Sequence, residues 1–195
     1  MHGRILDAAF ESLTEEGYAG ACTLKIATRA KVSKRELYAQ FGSRQEILRA
    51  CIATRVQRMR LPEMPSTLRS RAELEATLTA LGTRLIEEMC HPVVIAVHSL
   101  AVAEAKRSPE LGGDLERVRQ QINDNLSELI GRAQAAGLVG AGESSTMARE
   151  FMALLVGDLL MRLMQRVATT PSAIEANERA RRVAGMFVQL YGRMA

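Results

Sequence analysis

Tryptophan is absent from the 195 residues, aromatic side chains make up only 4% of them, and there are five prolines. Sheets draw on aromatic and β-branched runs, and helices exclude interior proline, so this scarcity argues for helices over strands. The three cysteines, Cys22, Cys51 and Cys90, are odd in number, far apart and without C-x-x-C spacing. Neither a disulfide framework nor a zinc ribbon is suggested, and a reducing cytoplasm is the expected setting. No uncharged apolar run approaches the ~20 residues a membrane span needs, and residues 1–4 lead into a helical pattern without an apolar leader core, so no membrane partner is expected. Imidazole is scarce too. His91 and His98 lie seven apart beside Cys90, but no third ligand at regular spacing joins them. The S-x-x-K and G-x-S-x-G nucleophile patterns are missing, and the glycines of residues 137–142 lack G-K-[ST]. No metal, cofactor or catalytic apparatus is expected.

What the chain does hold is apolar residue suited to helices, 47% of the total, with Ala, Leu and Met prominent. We expect an all-α fold of about nine helices. Pro62 and Pro65, three apart, stop a helix and place a boundary between residues 1–60 and 61–195. Charge divides at the same point. Residues 1–60 carry eleven Lys and Arg against six Asp and Glu, and the remainder carries fifteen against sixteen, so the net +4 resides in the first third. That is the footprint of a polyanion-binding domain joined to a neutral one, although charge alone is equally consistent with a solvated basic face.

Residues 22–41, CTLKIATRAKVSKRELYAQF, read as two short helices and a tight turn. Leu24, Ile26, Ala27, Ala30 and Val32 place small and apolar groups where a first helix packs on a second bearing Leu37, Tyr38 and Phe41. Ser33 and Glu36 form an S-x-x-E capping box that specifies the start of the second helix. Lys25, Arg29, Lys31, Lys34 and Arg35 fall among them. A short, capped, cationic helix propped by a packed partner suits entry into a major groove, N-terminus first.

Gly17-Tyr18, Ile26-Ala27, Val32-Ser33, Leu37-Tyr38 and Phe41-Gly42-Ser43, at those intervals, resemble the N-terminal domain of the tetracycline-repressor (TetR) family of bacterial transcriptional regulators. Three positions depart from that pattern. Lys31 stands where the turn usually has glycine, Cys22 where a capping Ser or Thr is common, and Gln40 where His is frequent. The resemblance implies a homodimer that binds a palindromic double-stranded DNA operator. Lys34 and Arg35 would meet base edges, while Thr23, Lys25, Ser33, Tyr38, Gln40 and Arg44 complete the DNA-binding set at the helix start and the phosphates.

Along the chain, a first helix over about residues 3–16 ends at Gly17, and Phe10 and Leu13 are expected in the three-helix core with Ile26, Leu37 and Phe41. Ser43-x-x-Glu46 opens a fourth helix to about residue 60, and Ser70-x-x-Glu73 opens a fifth. Pro92, with His91 as cap, opens a sixth to about residue 107, expected to be buried on most sides. Ser108-Pro109 restarts the chain into a seventh helix to about residue 136, with an interruption open at Gly112-Gly113. Residues 100–105 and 108–111 resemble the sensor domain of AefR-like repressors within the TetR family. The eighth helix, about residues 144–168, is apolar on more than one face, and the ninth, about residues 171–194 with Thr170 as cap, carries Val183, Met186, Phe187, Leu190 and Tyr191. Two apolar faces on closing helices imply a partner, and the resemblance makes it a twofold mate across helices 8 and 9. Residues 61–195 would thus serve ligand binding and dimerisation. Met89, His98 and Met152 are candidates to line a site for an unknown small apolar or amphipathic effector.

The expected function is a ligand-responsive DNA-binding regulator, a repressor released by its effector. A DNA-binding activator, an effector-free DNA-binding protein and an all-α enzyme whose basic segment serves another anion are the alternatives.

Overall fold

The computed structural model describes residues 1–58, 65–103, 105, 106 and 109–192. The expected proline break at residues 61–64 and the restart at Ser108 lie outside the described residues. Among those described the chain is helical without strands, and one isolated antiparallel bridge joins Val139 to Gly192. Packing divides it into two compact units, Met1–Arg60 with His91–Leu115, and Leu61–Cys90 with Glu116–Ala195. The first unit therefore takes in a later segment that a division at residue 60 alone assigns elsewhere.

In the first unit, α1 (His2–Gly20) runs past Gly17, where the sequence suggested a stop. It is followed by α2 (Thr23–Ala30), α3 (Lys34–Phe41) and α4 (Arg44–Arg58). Ile5 and Ala9 of α1, Ile26, Ala27 and Ala30 of α2, Leu37 and Phe41 of α3, and Ile47 and Cys51 of α4 close one core. Phe10 is partly buried against it, but Leu13 is not a member. Leu13 packs instead with Val93, Ala96, Leu100 and Ala101 of α6 (Pro92–Ala103). The α1 helix is long enough to serve two neighbours, and positions 10 and 13 lie one turn apart on the boundary between them. Burial pushes the Cys51 thiol up to about 12, the mark of a packing residue. His91 caps α6 as expected, its Nδ1 accepting from the Val93 amide at 3.3 Å. The helix ends at Ala103 rather than near residue 107, and Val102 is exposed, so α6 is less enclosed than its composition implied.

In the second unit, Ser70 accepts from the Glu73 amide and opens α5 (Arg71–Met89). Its main partner is the last helix, α10 (Ala173–Tyr191). Their close approach needs Gly82, because a Cβ there would lie 3.1 Å from Cβ of Ala180 and 3.2 Å from Cδ1 of Leu155. Phe151 and Phe187 meet edge to face at 5.8 Å in the same core. The α7 helix (Pro109–Ala135), whose residues to Leu115 count with the first unit, is continuous through Gly112 and Gly113.

The expected eighth helix is present but broken. It forms α8 (Ser144–Val156) and α9 (Leu159–Met164), separated at Gly157, whose φ of 51° suits glycine. Arg179 fixes the break by donating from Nε to the Leu155 carbonyl at 2.5 Å and from Nη2 to the Val156 carbonyl at 3.1 Å. The closing helix starts later than expected. Ser172 is its cap, in a full capping box with Glu175, and Thr170 is not.

Candidate nucleic-acid interface

The turn between α2 and α3 is built by backbone hydrogen bonds. Lys31 N–H donates to the Thr28 carbonyl and Val32 N–H to the Ala27 carbonyl, a Schellman closure that puts Lys31 at φ 54°, ψ 49°. A side-chain-bearing residue therefore holds a positive φ at the turn position where glycine is usual. At the start of α3 the Glu36 amide donates to Ser33 Oγ at 3.1 Å, and Glu36 Oε2 accepts from the Ser33 amide at 2.7 Å. Donation to the carboxylate by the Ser33 backbone amide first, and by the Ser33 side chain second, holds the Glu36 carboxyl below its ordinary pKa. Cys22 occupies the N-cap position of α2 without a hydrogen bond of capping geometry. Its thiol still sits below its ordinary pKa, chiefly through the Lys25 backbone amide and against some desolvation.

With both ends fixed, the faces sort cleanly. Leu37 and Phe41 turn inward, while Ser33, Lys34, Arg35, Tyr38 and Gln40 are exposed. Tyr38 is 41% exposed rather than packed between the helices, and its hydroxyl lies 3.2 Å from Thr23 Oγ1, tying the start of α2 to the outer face of α3. Leu24, expected to pack on the second helix, is 60% exposed. Its position in α2 faces away from Ile26, Ala27 and Ala30, which take the whole inner face of an eight-residue helix. The Gln40 amide reaches Nδ1 of His2 at 3.5 Å, and the His2 ring stacks on Phe41 at 4.6 Å. Arg44 stands in the first turn of α4, where Ser43 Oγ accepts from the Glu46 amide.

The inner side of this surface also carries acid, which the spacing of the basic residues does not signal. Lys25 and Arg29 of α2 are ion-paired to Glu16, Glu15 and Glu11 of α1. Glu11 and Glu15 are four apart on one helix, which is a visible signal, but their partners lie a helix away.

The effector candidates are divided between the two units. His98 belongs to the first unit, where its Nδ1 lies 2.9 Å from the Val94 carbonyl. Met89 and Met152 belong to the second and are partly buried. An open groove of about 440 Å³ in that unit is lined by charged residues of α5 and α10, Glu75, Glu178, Arg181 and Arg182 among them, and by neither methionine. Among the described residues no three His, Cys, Asp or Glu side chains gather as a metal site, and no single helix is long and apolar enough to cross a membrane.

An all-α chain that turns a capped basic helix outward from a helix-turn-helix has the build of a DNA-binding regulator. Comparison with known proteins makes this specific. Residues 5–51 match the model of bacterial regulatory proteins of the tetR family, and residues 76–193 match that of the AefR-like transcriptional repressor C-terminal domain. YvkB of Bacillus subtilis, an uncharacterized HTH-type transcriptional regulator, is 25% identical over 161 residues, 82% of each chain. A TetR transcriptional regulator from Agrobacterium tumefaciens superposes with a TM-score of 0.85 at 29% identity, over 98% of this chain and 94% of its own. The flavonoid-responsive regulator FrrA shares the fold, with a TM-score of 0.68 at 21% identity over 100% and 98%. The chain belongs to the TetR family of bacterial transcriptional regulators. Its relatives are regulators, not enzymes.

Proposed function

We propose that the protein is a homodimeric repressor that binds a palindromic operator and is released by a small apolar or amphipathic effector inside the cytoplasm. Residues 1–60 act as the reader, and residues 61–195 as the ligand-binding and dimerisation part. The observation that carries this reading is the outward basic face of α3. Lys34 and Arg35 are exposed, and among the described residues neither makes an ion pair. In the major groove Arg35 pairs in bidentate fashion with guanine, and Lys34 meets a neighbouring base edge. Thr23, Lys25, Tyr38, Gln40 and Arg44 hold phosphates and set the register. Half-sites then lie near one helical turn apart, ~34–36 Å.

Dimerisation is supported by hydrocarbon left uncovered in the second unit. Met186 is 46% and Leu190 66% exposed on α10, and Leu154 and Met161 are exposed on α8 and α9. These are the segments expected as helices 8 and 9, and a twofold mate covers them. The effector acts by population shift, favouring a subunit arrangement in which the two α3 helices no longer match successive grooves.

A mobility-shift titration against the promoter DNA beside the protein's own gene tests the reading. Affinity should fall steeply as salt rises, since each neutralised phosphate contributes a slope of about −0.9 in log K against log salt. A flat salt response removes the basic face as the contact.

A further inference from the structure

The cations of the helix-turn-helix fall into two groups. Lys31, Lys34 and Arg35, in the turn and on α3, make no ion pair among the described residues. Those of α2 are already answered from within the chain. Lys25 Nζ lies 2.5 Å from Glu16 Oε2, Arg29 Nη2 lies 2.7 Å from Glu15 Oε2, and Arg29 Nη1 lies 3.7 Å from Glu11 Oε2. Lys25 is in the first turn of α2, two residues after Thr23, whose hydroxyl meets that of Tyr38 on the outer face. The Lys25 side chain is still 56% exposed and that of Glu16 is 28% exposed. The pair is therefore a surface pair, weak enough for another oxygen anion to displace its carboxylate.

We propose that Glu16 is a built-in competitor for DNA phosphate, one that occupies Lys25 whenever no well-placed phosphate does and so weakens binding to duplex of every sequence. A carboxylate and a phosphate oxygen accept the same ammonium N–H donors, so one excludes the other at Lys25. Phosphate contacts carry no sequence information and supply nearly all of non-specific binding. Taxing one such contact lowers affinity for duplex of every sequence by the same factor. Glu16 thereby holds down affinity for operator and bulk DNA alike. The inference rests on the proposed phosphate contact of Lys25.

The test measures binding of a short mixed-sequence duplex by fluorescence anisotropy across a salt series. It compares the full-length protein with Glu16→Gln, Lys25→Gln and the double variant. Glu16→Gln should bind about two- to fivefold more tightly at low salt, the range an exposed ion pair supports. Its salt slope should steepen by up to ~0.9. The double variant should fall back to the level of Lys25→Gln. Unchanged or weaker binding by Glu16→Gln, with Lys25→Gln still weakening it, overturns the competitor role and leaves the DNA contact standing. Lys25→Gln without effect on affinity or slope overturns the competitor and the Lys25 contact together. Thermal melts by circular dichroism keep both readings separate from loss of fold.

Discussion

The helix-turn-helix and the closing helices leave different things uncovered. The former is made of two eight-residue helices whose ends carry much of their definition, and its unburied side is cationic. So short a helix has orphan N–H and C=O groups at both ends in proportion to its length, which is why the box at Ser33 and the αL turn at Lys31 matter there. The latter ends in a 19-residue helix that buries Ala176, Ala180, Val183, Ala184 and Phe187 and still leaves Met186 and Leu190 in water. One region is complete except for an anion, the other except for hydrocarbon. Two surfaces of opposite chemistry on one chain are what a DNA-binding dimer requires.

The contrast is sharpest in the cores. Phe151→Ala should cost about 3–5 kcal/mol and Leu37→Ala about 2–5 kcal/mol, since both side chains are fully buried. Chemical denaturation should show this, and Leu37→Ala should also abolish DNA binding by unseating α3. A loss below about 1 kcal/mol at either site would mean that the packing has been misread. A paired Met186→Glu, Leu190→Glu variant should keep its helix content by circular dichroism yet sediment as a monomer at concentrations where the parent is a dimer. If it stays dimeric, the uncovered hydrocarbon of α10 is not the interface. Smaller effects belong to the helix ends. Ser33→Ala should destabilise by about 1 kcal/mol through loss of the cap. Lys31→Gly should instead stabilise by up to about 1 kcal/mol in thermal melts, because φ 54° suits glycine. Destabilisation by Lys31→Gly would show that the turn holds no backbone strain to relieve.

The parts of the fold that were legible before the structure are those written within four residues of sequence. The box at Ser33 and the caps at Ser70 and His91 stand where their motifs put them, because a cap is a local hydrogen bond. Ser172 was equally local, but Thr170-Pro171 resembled a cap followed by a first-turn proline and masked it. The break at Gly157 was hidden because apolar periodicity runs through it, and what holds it is Arg179, more than twenty residues away. Leu24 was misplaced because an eight-residue helix offers barely two turns of pattern. The α1 carboxylates escaped notice for a related reason. Arg29 and Glu15 are fourteen residues apart and meet only through the packing of α1 on α2, which side-chain spacing does not encode.

The central claim is that α3 reads bases while its neighbours hold the backbone. Operator preference profiles for Arg35→Ala and Tyr38→Ala, each selected from a randomised duplex pool, test it most directly. The account expects Tyr38→Ala to bind all sequences more weakly with an unchanged profile, and Arg35→Ala to lose discrimination at a single base position as well. Identical profiles for the two variants would contradict it.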